Sequence, residues 1–269
     1  MTSQESKSRT PGKESVQKEY IVRFDSHQRI QHFLMMSAFI TLALTGFPQK
    51  FPDISVSEWW VNALGGLRTV RAIHRGAGFV MLAVCIYHLA WVFVRIGVQR
   101  RYGAFRMVPT LQDGRDAVQM FGYYLGFASE RPRFGRFSYL EKFDYWAVFW
   151  GIVMIGTSGV VLTFAVTATG VIPGDALPLL RGIHSDEAVL AVCWIGIVHM
   201  FNAHLAPWVF PFNPTIFTGK LSRERYAEDH PLEYAEIMSS REPLVRASEP
   251  QTKAPMASQP EAAAIEREM

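Results

Sequence analysis

Cysteine is scarce in this 269-residue chain, which carries only Cys85 and Cys193. A disulfide framework is therefore not expected, and both thiols, set inside apolar runs, read as small packing residues. Charge is missing from four long windows: Ile30–Phe47, Gly76–Val94, Tyr145–Ile172 and Ala188–Phe210 contain no Asp, Glu, Lys or Arg. The first 29 residues hold no apolar stretch of export-signal type, so no cleaved signal is expected. The first window then serves as its own insertion signal. The chain also lacks a nucleotide-binding motif and any molybdenum- or nickel-type ligand set.

What is present divides into two populations that the mean hydropathy of +0.08 averages away. Both ends and one middle stretch are polar, whereas the four windows meet or approach the roughly 20 apolar residues that a helix needs to cross a membrane. The first is the shortest, so its polar neighbours must sit in the headgroup zone. The expected fold is all-α: an integral membrane four-helix bundle, with helices at about 28–47, 72–97, 144–167 and 184–208 inside a membrane domain spanning 23–220. Four buried helices of a soluble protein are the alternative, but a soluble domain of this size rarely holds four such uncharged windows.

Basic residues alternate along the chain: six up to residue 29, three in 48–73, eight in 98–143, Arg181 alone in 173–187, and seven after 211. Segments rich in Lys and Arg stay on the cytoplasmic side, so both termini and the long middle loop are expected there. The net charge of +3 reflects this bias and gives no sign of nucleic-acid binding. Residues 1–22 are expected to form a disordered tail, and 221–269 a second tail, mostly disordered after about 246. Gly46 and Pro48 in "LALTGFP" are expected to end the first helix. "SVSEWWVNALGGL" reads as an outer loop with Trp59 and Trp60 at the interface. "TLQDGRDAVQMFGYYLGF" reads as an amphipathic helix on the inner bilayer surface. "PGDALP" breaks the chain before the fourth helix, and "IGTSGVVL" briefly echoes the Thr-Gly close of the first.

Six of the eight histidines lie in or beside these spans: His32, His74, His88, His184, His199 and His204. Ionisable groups at membrane depth are rare and mark function. At 1.5 Å per residue, His88 lies about 21 Å beyond His74, and His199 about 22 Å beyond His184. Two levels result: His74 and His184 on the outer side, and His32, His88 and His199 on the inner side. Steps of 14 and 15 residues return to within about 40° and 60° of the same helix face, so each helix turns both rings toward the bundle interior. Two neutral imidazoles from facing helices supply the axial ligands of a haem iron. Zinc wants three or four ligands in one tight cluster, which two separate levels do not offer. Without a CxxCH stretch, the haem would be held non-covalently. Gly76 and Gly78 beside His74, and Gly182 beside His184, leave room for a porphyrin face. Arg71 and Arg75 bracket His74, and Arg181 adjoins His184, as candidate contacts for haem propionates. His204, turned about 140° from His199, suits a structural, proton or quinone role better than ligation.

The stretches "RIQHF…LALTGF", "RAIHRGAG", "EKFDYW…GTSGVVL" and "IHSDEAVLAVCWIGIVHM" resemble, in order, the four helices of the respiratory di-haem cytochrome b subunits. That family includes the gamma subunit of formate dehydrogenase, the cytochrome b of nickel–iron hydrogenases and cytochromes like the bacterial b561. "GKLSRERYAEDHPLEYAEI" is similar to the segment that follows the last helix in the formate dehydrogenase chains, so the likeness spans about 23–238. The resemblance implies two b haems, an outer one between His74 and His184 and an inner one between His32 and His199. It also implies a quinone pocket on the inner side, where Ser138, Lys142 and His204 are the candidates. This chain departs from the pattern in three places. Ser138 stands in "GRFSYLEK" where the family has Asn, and the helix-four histidines are fifteen rather than fourteen apart, an excess a local bulge absorbs. His88 has no counterpart. It stands open as an alternative partner of His199, a quinone-site residue or an additional ligand.

The expected function is a b-type cytochrome subunit of the bacterial inner membrane. It would pass electrons between the quinone pool and a periplasmic or membrane-attached partner: a dehydrogenase, hydrogenase, iron–sulfur or multihaem cytochrome chain. Catalysis on the partner's substrate would lie in the partner. A haem-free transporter or proton-handling protein is the rival. The spans carry no acidic residue in their cores and no paired broken-helix signals, which favours the cytochrome.

Overall fold

The structure, a computed structural model, describes residues 19–248. The disorder expected of 1–18 and 249–269 lies outside the described residues. The principal elements are β1 (Tyr20–Val22), α1 (Ser26–Lys50), α2 (Ser55–Ala63), α3 (Leu67–Val98), α4 (Leu111–Tyr124), α5 (Tyr139–Thr163), α6 (Ala176–Leu205), α7 (Thr215–Thr218), β2 (Lys220–Ser222), α8 (Arg223–Asp229) and α9 (Pro231–Ser248). Helices α1, α3, α5 and α6 are long and apolar enough to cross a membrane. They form an all-α membrane bundle in which α1 packs on α3 and α6, and α5 packs on the same two. Helices α3 and α6 therefore face each other across the interior. The outside of the bundle suits lipid: Phe93, Ile86, Leu190 and Ile197 are all exposed.

Local chemistry explains where the spans begin and end. Asp25 caps α1 through a reciprocal bond pair with Gln28, an arrangement that contributes about 1 kcal/mol. Its other carboxylate oxygen accepts from Arg95 at 2.7 Å, fastening the end of α3 to the start of α1. Contrary to expectation, α1 runs through Pro48 to Lys50. A proline cannot donate to the carbonyl four residues back, here Leu44. The Trp60 indole N–H donates to that carbonyl at 2.9 Å, so the helix continues without an orphaned group. The expected outer loop is thus partly the helix α2, ended by Gly65 and Gly66, both at positive φ. Helix α6 also starts earlier than expected, because Pro178 falls in its first turn, where a missing N–H costs nothing.

Residues 20–22, assigned to the first tail from sequence, form β1 and pair antiparallel with β2, Tyr20 opposite Ser222. The amide of Arg23 donates to Gly219 O at 2.8 Å. Gly219, at φ 73°, has no alternative: a Cβ there would stand 2.5 Å from Phe24 O. Around this join the Arg23 side chain is 3% exposed. It pairs with Glu141 at 2.8 Å and stands 3.7 Å from Glu233. Arg136 reaches Glu233 at 2.9 Å, and the Tyr226 hydroxyl donates to the same carboxylate. The first strand, the long loop and the C-terminal helices are thereby clasped on one face of the bundle, called the near face below. Helix α4 lies alongside, capped by Thr110 and tied to α5 by the Lys142–Asp113 pair at 2.8 Å. Burial pushes the Asp113 carboxyl up, but Lys142 and the Thr110 hydrogen bonds outweigh it and hold the group below its ordinary value. Leu111, Val118 and Phe121 on this helix are exposed, as a surface-lying amphipathic helix requires.

Candidate functional site

At the far level, away from the clasp, the imidazoles of His74 on α3 and His184 on α6 meet across the bundle. Their ring centroids are 6.2 Å apart and their planes cross at 74°. His74 Nδ1 lies 2.9 Å from Thr45 Oγ1 on α1, and that hydroxyl lies 2.6 Å from Thr41 O. A carbonyl only accepts, so the hydroxyl hydrogen goes to Thr41 and the hydroxyl oxygen accepts from the imidazole. His74 thus carries its proton on Nδ1 and keeps the Nε2 lone pair free, an assignment made from the partners. Helix α5 repeats the device. His184 Nδ1 lies 2.9 Å from Ile155 O and 3.2 Å from Ser158 Oγ, and Ser158 donates to Met154 O at 2.6 Å.

A glycine follows each hydroxyl residue. A Cβ at Gly46 would stand 3.2 Å from His74 Cε1, and one at Gly159 would stand 3.0 Å from His184 Cε1. Thr45-Gly46 and Ser158-Gly159 are therefore matched cradles for the two rings, and the brief sequence echo between the first and third spans is their trace. The spacing suits an iron between the rings. Two metal–imidazole bonds of about 2 Å, plus roughly 1 Å from each coordinating nitrogen to its ring centre, span about 6 Å. Beside the rings, Gly76 and Gly182 face open space, while Gly78 packs on Leu42. Arg71, Arg75 and Arg181 are exposed and make no ion pair or hydrogen bond among the described residues.

The near level is built differently. His199 Nδ1 lies 2.9 Å from Asp144 Oδ2, and the Trp194 indole donates to Asp144 Oδ1 at 2.7 Å. His199 therefore also holds its proton on Nδ1 and leaves Nε2 free. His32 on α1 and His204 both lie within electrostatic reach of His199. The fifteen-residue step from His184 to His199 contains a wide π-type segment, Trp194–His199. It takes up one residue and returns His199 to the interior phase.

The remaining sequence candidates are engaged elsewhere. His88 has both ring nitrogens in hydrogen bonds, Nδ1 at 2.7 Å from Gln31 Oε1 and Nε2 at 3.1 Å from Tyr145 Oη. The Ser138 hydroxyl caps α5 in a reciprocal pair with Glu141, and Lys142 is held by Asp113. His204 stacks on Phe212 with centroids 4.6 Å apart, and its Nδ1 is buried without a hydrogen-bond partner. The interactions of Ser138 and Lys142 do not include His204. Sequence reasoning missed Asp144 and the two hydroxyl–glycine cradles. Among the described residues no three His, Cys, Asp or Glu side chains converge as a metal site, and the imidazoles that face each other directly are His74 and His184.

The chain is 23% identical over 229 residues to the formate dehydrogenase cytochrome b556(fdo) subunit of Escherichia coli strain K12, covering 82% of this chain and 95% of that protein. The corresponding subunits of Escherichia coli O6:H1 and O157:H7 match to the same extent. The family model of the prokaryotic cytochrome b561 matches residues 23–211, which include all four spans and every histidine of both levels. The chain belongs to the prokaryotic cytochrome b561 family, and it is a multi-pass membrane cytochrome of the b type.

Proposed function

We propose that this cytochrome binds two b haems, one between His74 and His184 and one between His32 and His199. It would carry electrons across the bacterial inner membrane as a subunit of a respiratory complex. The observation that carries the reading is the His74–His184 pair, fixed in one tautomer and set 6.2 Å apart by cradles on two other helices. Haem iron supplies the one-electron chemistry, and the chain supplies position, electrostatics and exclusion of water. Thr45 holds the Nδ1–H of His74, Ile155 and Ser158 that of His184, and Asp144 that of His199, which leaves the Nε2 of these three rings free. Arg71 and Arg75 stand at the mouth of the far site as cations for propionates. His88, held by Gln31 and Tyr145, serves as a packed polar link between α1, α3 and α5 rather than as a ligand.

The near face, rich in Lys and Arg, would be cytoplasmic and would carry both termini. The far face would receive electrons from, or pass them to, a periplasmic or membrane-attached redox chain: a dehydrogenase of the formate type, a hydrogenase, or an iron–sulfur or multihaem subunit. Quinone would exchange at the near level, where His204 offers an unpaired ring nitrogen and Ser138 and Lys142 open the third span. Reduced-minus-oxidised spectra of His→Ala variants test the assignment. H74A and H184A should each remove the same far haem, and H32A and H199A the same near haem. A variant of this set that keeps the full spectrum removes its residue from the ligand set.

A further inference from the structure

The two levels differ in one chemical respect. At the far level each Nδ1–H donates to a neutral acceptor: the Thr45 hydroxyl for His74, and the Ile155 carbonyl with the Ser158 hydroxyl for His184. At the near level the acceptor is a carboxylate, Asp144 Oδ2 at 2.9 Å from His199 Nδ1. Its other oxygen accepts the Trp194 indole N–H at 2.7 Å. Both carboxylate oxygens thus face donors. The indole also fixes the rotation of the carboxylate, and Trp194 is itself packed on Phe143 with ring centroids 4.7 Å apart. Asp144 sits in the second turn of α5, Trp194 opens the π-type segment of α6, and His199 closes it.

A carboxylate hydrogen-bonded to the far nitrogen of a ligating imidazole fixes its orientation and raises its basicity. A more basic ligand favours the ferric state and lowers the reduction potential, one of the ways a protein tunes a haem. We propose that Asp144 is a positioning residue that orients His199 and holds the near haem at a lower potential than a neutral acceptor would, with Trp194 moderating its charge. The inference rests on the two-haem reading above and adds a built-in asymmetry between the levels.

The test uses two variants of the full chain, each examined for haem content and then by potentiometric titration. D144N keeps a side-chain acceptor but removes the charge. It should raise the potential of one haem by about 59 mV, a tenfold change in its reduced-to-oxidised ratio, and leave the other unmoved. W194F takes the indole donor from Asp144 and should shift the same haem in the opposite direction. Should D144N lose its near haem, W194F decides: a downward shift upholds the role of Asp144, and an unchanged potential overturns it. Two haems with unchanged potentials in both variants would overturn the inference and leave the two-haem reading standing. A wild-type protein without haem overturns both.

Discussion

Gly159 lies against His184 so closely that a Cβ added there would stand 3.0 Å from the imidazole Cε1. The corresponding distance from Gly46 to His74 is 3.2 Å. Overpacking of this kind costs about 1–3 kcal/mol when neighbours must shift. G159A should therefore displace His184 and reduce occupancy of the far haem, and G46A should do so less. The check is haem content per chain together with thermal stability in detergent. Equal and full haem content in both variants would show that the cradles do not set ring position.

The hydroxyl partners make a second, graded pair. T45A removes the acceptor 2.9 Å from His74 Nδ1, whereas S158A leaves His184 its 2.9 Å bond to Ile155 O. Loss of such orienting partners weakens metal-site affinity by about 10- to 100-fold. T45A should fall toward the upper end of that range, and S158A should stay near wild type. Haem-loss rates to an apoprotein acceptor measure both.

The clasp on the near face should respond to acid. His230, 7% exposed, donates from Nδ1 to Gly135 O at 2.8 Å. Burial first, and then the Arg23 charge, push its pKa below the ordinary 6.5. The unfolded segment therefore binds the proton more readily than the folded one. The stability His230 contributes is complete above pH 6.5 and lost as pH falls through its lowered folded value. Glu233 acts in the same direction at lower pH. Burial raises its pKa, but the Tyr226 hydrogen bond and the Arg136 and Arg23 charges outweigh this and hold it below the ordinary 4.5. Hydrogen exchange of residues 220–236 should rise as pH is lowered below about 6.5, beyond the change intrinsic to exchange chemistry. H230Q should flatten the first part of that rise.

His88 supplies a direct test of ligand number. With both ring nitrogens already bonded to Gln31 and Tyr145, H88A should leave the haem count unchanged. It should cost about 1–3 kcal/mol of stability, because the polar groups of Gln31 and Tyr145 lose their partner. A fall in haem content with retained fold would make His88 a ligand.

The four spans were legible in the sequence because lipid imposes a long uncharged run, a signal that survives in composition alone. The spacing of the histidines along two helices gave expected heights because helical rise converts one into the other. The meeting of His74 and His184 across the bundle depends on the fold. Asp144 was not, since one acidic residue at the edge of an apolar window reads as the end of a span. Its meaning depends on α6 bringing His199 and Trp194 beside it, a contact between residues about 50 positions apart. The passage of α1 through Pro48 was hidden for a similar reason: the group that completes the helix is an indole from α2. The clasp escaped notice because strands of three residues leave no periodic pattern, and because Arg23 looks like any basic residue of a polar tail. In each case a long-range hydrogen bond decided a feature that local sequence left open.

The central claim is that imidazoles from separate helices hold iron porphyrin at two levels of one bundle. Pyridine haemochrome quantification of the purified wild-type chain, expressed with ample haem supply, tests it most directly. The expected result is about two b haems per polypeptide, and a colourless protein would contradict it.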